Sequence, residues 1–94
     1  MEWEIALSRQ AEKFLAKNHL PDEFVIAPLR KAISKFFGEF GESESVSVYV
    51  KRLSGAWTGY YRVRSGRIRI IFSFDAEKQR AFVEVVDYRG DVYN

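Results

Sequence analysis

Tyr60-Tyr61-Arg62-Val63-Arg64-Ser65-Gly66-Arg67-Ile68-Arg69-Ile70-Ile71-Phe72 is the stretch whose reading decides the fold. Apolar and cationic side chains alternate on both sides of a Ser-Gly pair, the period of a half-buried strand broken by a tight turn. Ser65-Gly66 is expected to form the two-residue turn, with glycine supplying the positive φ. That register pairs Arg64 with Arg67, Val63 with Ile68, Arg62 with Arg69 and Tyr61 with Ile70. Because side chains alternate across a strand, Val63, Ile68, Tyr61 and Ile70 share a core face and all four arginines share the other. Like charges opposite one another cost a few tenths to about 1 kcal/mol per pair. A local inconsistency of this kind marks a functional surface, here an anion-binding face. The bland alternative is a solvated face, or arginines paired with Glu or Asp from elsewhere in the chain.

Outward from the hairpin, the period of two continues. Val46, Val48 and Val50 alternate with Ser47, Tyr49 and Lys51, and Tyr60 to Arg64, Arg67 to Phe74 and Arg80 to Val86 read as further strands. Their short, turn-rich links favour antiparallel pairing. Toward the N-terminus, Trp3, Ile5 and Leu7 alternate as a short strand. Ser8 then caps a helix with Ala11, Phe14, Leu15 and Asn18 at helical spacing, ending near Asn18-His19. A second helical region opens at Pro21-Asp22, with Ile26, Leu29, Ile33, Phe36, Phe37 and Phe40 as its stripe. Pro28 kinks this region or divides it, and Gly38 and Gly41 stop it. The fold class is α+β: a helical hairpin packed on one face of an antiparallel sheet, in the order β-α-α-β-β-β-β.

The 94 residues, 47% of them hydrophobic, suffice for one packed core, so residues 1–94 are expected to form one domain. With no cysteine, disulfides, thiolate nucleophiles and cysteine-ligated zinc are excluded, which suits a reducing, cytoplasmic compartment. The acidic start Met1-Glu2-Trp3-Glu4 does not resemble a secretory signal, and no apolar run approaches a membrane span. The net charge of +2 hides an uneven distribution. From Val46 to Phe74 stand Lys51, Arg52, Arg62, Arg64, Arg67 and Arg69 with no acid, a segment that attracts a polyanion or an acidic protein. Glu2, Glu4, Glu12, Glu84 and Asp87 show no metal-ligand spacing, and no glycine-rich phosphate loop is present, so no metal or cofactor is expected. The only histidine, His19, falls between the helices, which rules out a histidine-pair nuclease. Trp57, in Gly55-Ala56-Trp57-Thr58-Gly59, either stacks on a base or plugs the edge of the core.

Lys51-Arg52-Leu53-Ser54-Gly55 followed by Gly59-Tyr60-Tyr61-Arg62-Val63-Arg64-Ser65-Gly66-Arg67-Ile68-Arg69-Ile70-Ile71-Phe72 resembles the "L-x-G … Y-R-x-R-x-G-x-x-R-x-x-[FY]" core of the RelE/ParE superfamily of toxins. Tyr88-Arg89-Gly90-Asp91-Val92-Tyr93 is similar to the family's closing "R-x-x-V-Y", and the opening strand with Ser8, Ala11 and Leu15 to its start. The resemblance spans essentially the whole sequence. It implies a cognate antitoxin and one of two activities: cleavage of messenger RNA in the ribosomal A site, as in RelE-like members, or poisoning of DNA gyrase, as in ParE-like ones.

Carried over by motif, Arg69 grips the scissile phosphate as a bidentate donor, Arg62 stabilises charge, Arg89 matches the tail arginine, and Tyr93 the tyrosine that stacks on or orients a base. Lys51, Arg52, Tyr60, Arg64 and Arg67 are expected to bind the RNA around them. Such cleavage through the 2′-hydroxyl is metal-independent. The sequence departs from the family in two respects, the first being that Tyr60 stands where the strongest nucleases have a lysine and the second the end of the sequence. Since arginine does not give up its proton, Tyr60, Tyr93 or the ribosomal RNA must serve as base. With the sequence ending at Asn94, no helix is expected after Tyr93. The expected partners are the ribosome, messenger RNA and an acidic antitoxin segment covering the basic face. The competing readings are a gyrase-directed toxin and a degenerate, non-nucleolytic binding module.

Overall fold

The computed structural model describes residues 3–37 and 49–88. Its elements are β1 (Glu4–Leu7), α1 (Arg9–Lys17), α2 (Glu23–Phe37), β2 (Tyr49–Arg52), a 3₁₀ turn at Gly55–Trp57, β3 (Tyr61–Ser65), β4 (Ile68–Asp75) and β5 (Arg80–Tyr88). Among the described residues these form one five-stranded sheet in the order β1-β5-β4-β3-β2. Neighbours from β2 to β5 run antiparallel, as expected. β1 differs. It pairs parallel with β5, Glu4 opposite Arg80 and Leu7 opposite Val83. The expected starts of β2 at Val46 and Val48, the stop at Gly38 and Gly41, and Phe40 lie outside the described residues.

Helix α1 begins where its sequence says it should. Ser8 is extended, and its hydroxyl accepts from the Ala11 amide at 3.1 Å, satisfying one orphan donor of the first turn. Ala11 and Leu15 are buried on its inner face. His19, in the left-handed region with φ 57°, ends the segment as an exposed loop residue. In α2, Pro28 neither divides nor ends the helix, which runs through it for 15 residues. The missing amide costs the Phe24 carbonyl its helical donor, but Phe24 is exposed and water can replace it. The buried stripe of α2 is Val25, Leu29, Ala32 and Ile33, with Ile26 at its margin rather than its centre. These residues meet Val63, Ile68, Ile70, Phe72, Ala81, Val83 and Val86, placing both helices on one face of the sheet.

A bulge in β5 makes that core continuous. Ile71 pairs with Val85 but Phe72 with Val83, so Glu84 is the extra residue. The inward side chains therefore shift from Ala81 and Val83 to Val86 and Tyr88, and Phe82 is left half-exposed on the outer face. Because β1 stops at Leu7, the next outward groups of β5 need other partners. The Ser8 hydroxyl donates to the Glu84 carbonyl at 2.7 Å. The Gln10 side-chain amide donates to the Val86 carbonyl and accepts from the Val86 amide, both at 2.9 Å. One glutamine thus stands in for a strand residue.

Candidate nucleic-acid interface

The face of the sheet turned away from the helices carries the cations, though not in the expected arrangement. The turn is Gly66-Arg67 rather than Ser65-Gly66: Ser65 pairs with Ile68 and Arg64 with Arg69. Gly66 has φ 58°, and no left-handed residue follows it, the geometry of a turn that takes glycine first rather than second. Arg62 consequently faces Ile71, not Arg69, and Arg67 leaves the row for the turn. There it lines a cleft of about 500 Å³ with Gly66, Ile68, Leu20, Phe24 and Tyr88. Within the hairpin one like-charge pair, Arg64 opposite Arg69, remains, and Lys51 opposite Arg62 adds a second across β2 and β3.

Arg62, Arg64 and Arg69 do share the face opposite the helices. Lys51 joins them as the β2 partner of Arg62. Arg52 does not: it pairs with Tyr61 and lies on the helix-facing side, its guanidinium 5.9 Å from the centre of the Tyr61 ring. Leu53 donates to the Tyr60 carbonyl at 3.0 Å, extending the β2–β3 ladder by one pair. That extension puts Tyr60 on the same face as Arg62 and Arg64. Trp57 meets Tyr60 edge to face at 5.2 Å and is 38% exposed, so it does not plug the core.

Burial is the second departure. Arg69, expected to grip a phosphate from an anion-binding face, is only 5% exposed, and Arg62 7%. Arg69 donates from Nε to Asp87 Oδ1 at 3.1 Å and from Nη2 to Asp87 Oδ2 at 2.9 Å, a bidentate pair across β4 and β5. Asp87 balances the charge that Arg64 sets against Arg69 and fixes the plane of the guanidinium. The alternative that an arginine of this face pairs with an acid from elsewhere in the chain thus holds for Arg69, although the sequence did not single out Asp87 as that acid. The arrangement presents fixed, charge-assisted donors beside half-exposed and exposed cations, Arg64 and Lys51, a surface suited to phosphates. Arg89 and Tyr93 lie outside the described residues. Among the described residues no group of His, Asp or Glu is arranged to hold a metal ion, and no helix is long and apolar enough to cross a membrane.

No protein-family model and no curated protein matches the sequence. Solved structures do match the fold. The toxin–antitoxin complex RelBE2 from Mycobacterium tuberculosis matches at TM-score 0.57 and 25% identity, over 95% of this chain and 93% of the other. A chain of the archaeal RelE–RelB complex from Pyrococcus horikoshii matches at 0.56 and 24%, over 98% and 100%. The YoeB–YefM complex from Staphylococcus aureus matches at 0.59 and 18%, over 95% and 99%. The fold of this chain is the RelE-like fold of type II toxins.

Proposed function

We propose that this chain, RelE-like in fold, is the toxin of a type II toxin–antitoxin system and acts as a ribosome-dependent messenger-RNA endonuclease. The observation that carries the reading is the row of Lys51, Arg62, Arg64 and Arg69 on the sheet face opposite the helices, with Lys51 exposed, Arg64 half-exposed, and Arg62 and Arg69 buried beneath them. In cleavage through the 2′-hydroxyl, negative charge grows on the phosphate, and preorganised donors there lower the barrier more than they stabilise the ground state. Asp87 holds Arg69 in one orientation before substrate arrives, so little reorganisation is needed. Tyr60, on the same face, is the described residue assigned by motif as a hydroxyl proton acceptor. The ribosome supplies the remaining groups. Arg89 and Tyr93 are assigned by motif alone.

The antitoxin is proposed to cover this face with an acidic segment that folds on binding; a partner of that kind is supported by the toxin–antitoxin complexes among the structural neighbours. One observation favours a second reading. Tyr60 occupies the position of the family's lysine, and without that cation the basic face can dock protein instead, as in a gyrase-directed toxin or a non-nucleolytic binding module. Induction of the chain in cells, with primer extension on a translated transcript, separates the two. Cuts within ribosome-bound codons support the nuclease; growth arrest with gyrase-linked DNA breaks and intact transcripts supports the alternative.

A further inference from the structure

We infer that Trp57 is a base-stacking site for the single-stranded RNA whose phosphates the arginine face holds; this rests on the RNA reading above. The indole is presented by a tied backbone. Gly55 and Gly59 take left-handed φ values of 68° and 94° on either side of it. Within that bracket, Trp57 donates to the Ser54 carbonyl at 3.2 Å, Thr58 to Gly55 at 3.2 Å and Tyr60 to Trp57 at 3.0 Å. The Thr58 hydroxyl adds a bond to the Gly55 carbonyl at 2.8 Å. A side chain that could contribute more by burial is thus held in the open at 38% exposure.

Its contacts suit a planar ligand. The interplanar angle with Tyr60 is 86°, so the contact takes up at most one face of the indole. A base can lie on the other. Tyr60 links Trp57 to the cations, since Tyr60, Arg62 and Arg64 alternate along one face. At ~3.3 Å per residue that row extends about 13 Å from the aromatic pair. Phosphate-gripping cations leading to an aromatic platform are the combination by which single strands are held, with bases stacked and backbone charge neutralised. A protein partner is less suited to it: such a hot spot sits at the centre of a desolvated patch, whereas Trp57 is flanked by Ser54, Gly55, Ala56, Thr58 and Gly59, all exposed.

The test is fluorescence titration of the purified chain with a 2′-O-methyl oligoadenylate of about eight nucleotides, which cannot be cleaved through its 2′ position. The wild type should be quenched, and Trp57→Phe, which retains Trp3, should not. By anisotropy of the labelled oligonucleotide, Trp57→Ala should bind roughly 5- to 150-fold more weakly, the range for losing one stacked base. Its salt dependence should match the wild type, because no phosphate contact is lost. An abasic oligonucleotide of equal length should bind wild type and Trp57→Ala alike. Unquenched binding by the wild type, or full affinity in Trp57→Ala, overturns the proposal. So does a Trp57→Ala protein that keeps RNA affinity while losing an acidic protein partner. Base-dependent quenching with no cleavage on ribosomes would remove the nuclease reading and leave the stacking site standing.

Discussion

Asp87 holds Arg69 from the strand opposite the one that carries Arg64, so a single arginine sits between a like charge and its counter-charge. Its burial makes it part of the fold as well as a candidate for chemistry. Arg69→Ala should destabilise the domain by about 3 kcal/mol, because a largely buried carboxylate loses its partner. Arg69→Met combined with Asp87→Leu should recover most of that loss. Urea melts of the two variants check this, and equal stabilities for wild type and Arg69→Ala would contradict it. Toxicity lost in Arg69→Ala therefore says nothing about catalysis until it is compared with the double variant.

Arg64 is the cleaner probe of function. It is half-buried and points from the same face. Arg64→Ala should leave thermal stability within ~0.5 kcal/mol of wild type, as for surface substitutions generally. If Arg64 contacts a phosphate, RNA binding should weaken across all sequences and the slope of log K against log salt should fall by about one. An unchanged slope would take Arg64 out of the interface.

Gln10 predicts a stability effect where the sequence suggests none. It is an exposed helix residue, yet its amide satisfies both backbone groups of the fully buried Val86. Gln10→Ala should cost about 1–3 kcal/mol despite alanine's better helix propensity. Hydrogen exchange at the Val86 amide should accelerate in the same variant. A neutral melting temperature would show that water replaces the amide.

Gly66 tests the turn. At φ 58° it occupies a region that side chains rarely adopt, although a Cβ would meet nothing within 4 Å. Gly66→Val should cost about 1–2 kcal/mol through backbone strain alone. Gly66→Asn should lose less, since asparagine tolerates that conformation. Identical denaturation midpoints for the two variants would argue against the turn described here.

The misplacement of the turn explains how much was legible. A two-residue hairpin takes glycine at either central position, and Ser65-Gly66-Arg67 does not distinguish the two. Moving the turn by one residue changes each partner by two, and a shift of two leaves every side chain on its own face. Val63, Ile68 and Ile70 therefore reached the core, and Arg62, Arg64 and Arg69 stayed together, although every pairing was wrong. Arg52 failed for the opposite reason: adjacent Lys51 and Arg52 must point to opposite faces, so a run of charge is not a charged surface. The Arg69–Asp87 pair depends on register carried through the Ala76–Gln79 turn and past the bulge at Glu84, which no local pattern encodes. The parallel pairing of β1 has no turn to announce it at all.

That last pairing constrains when the molecule can exist. Residues 4–7 find their place in the sheet only beside residues 80–83, a separation that makes the closing contact among the most non-local in the chain. On a ribosome the first strand is made early and must wait, unpaired, until most of the rest has emerged. Helix α1, tied through Ser8 and Gln10 to the same late strand, waits with it. A nascent chain is thus without its finished sheet until residues 80–88 have emerged, and the Arg69–Asp87 pair of the arginine face cannot form before then.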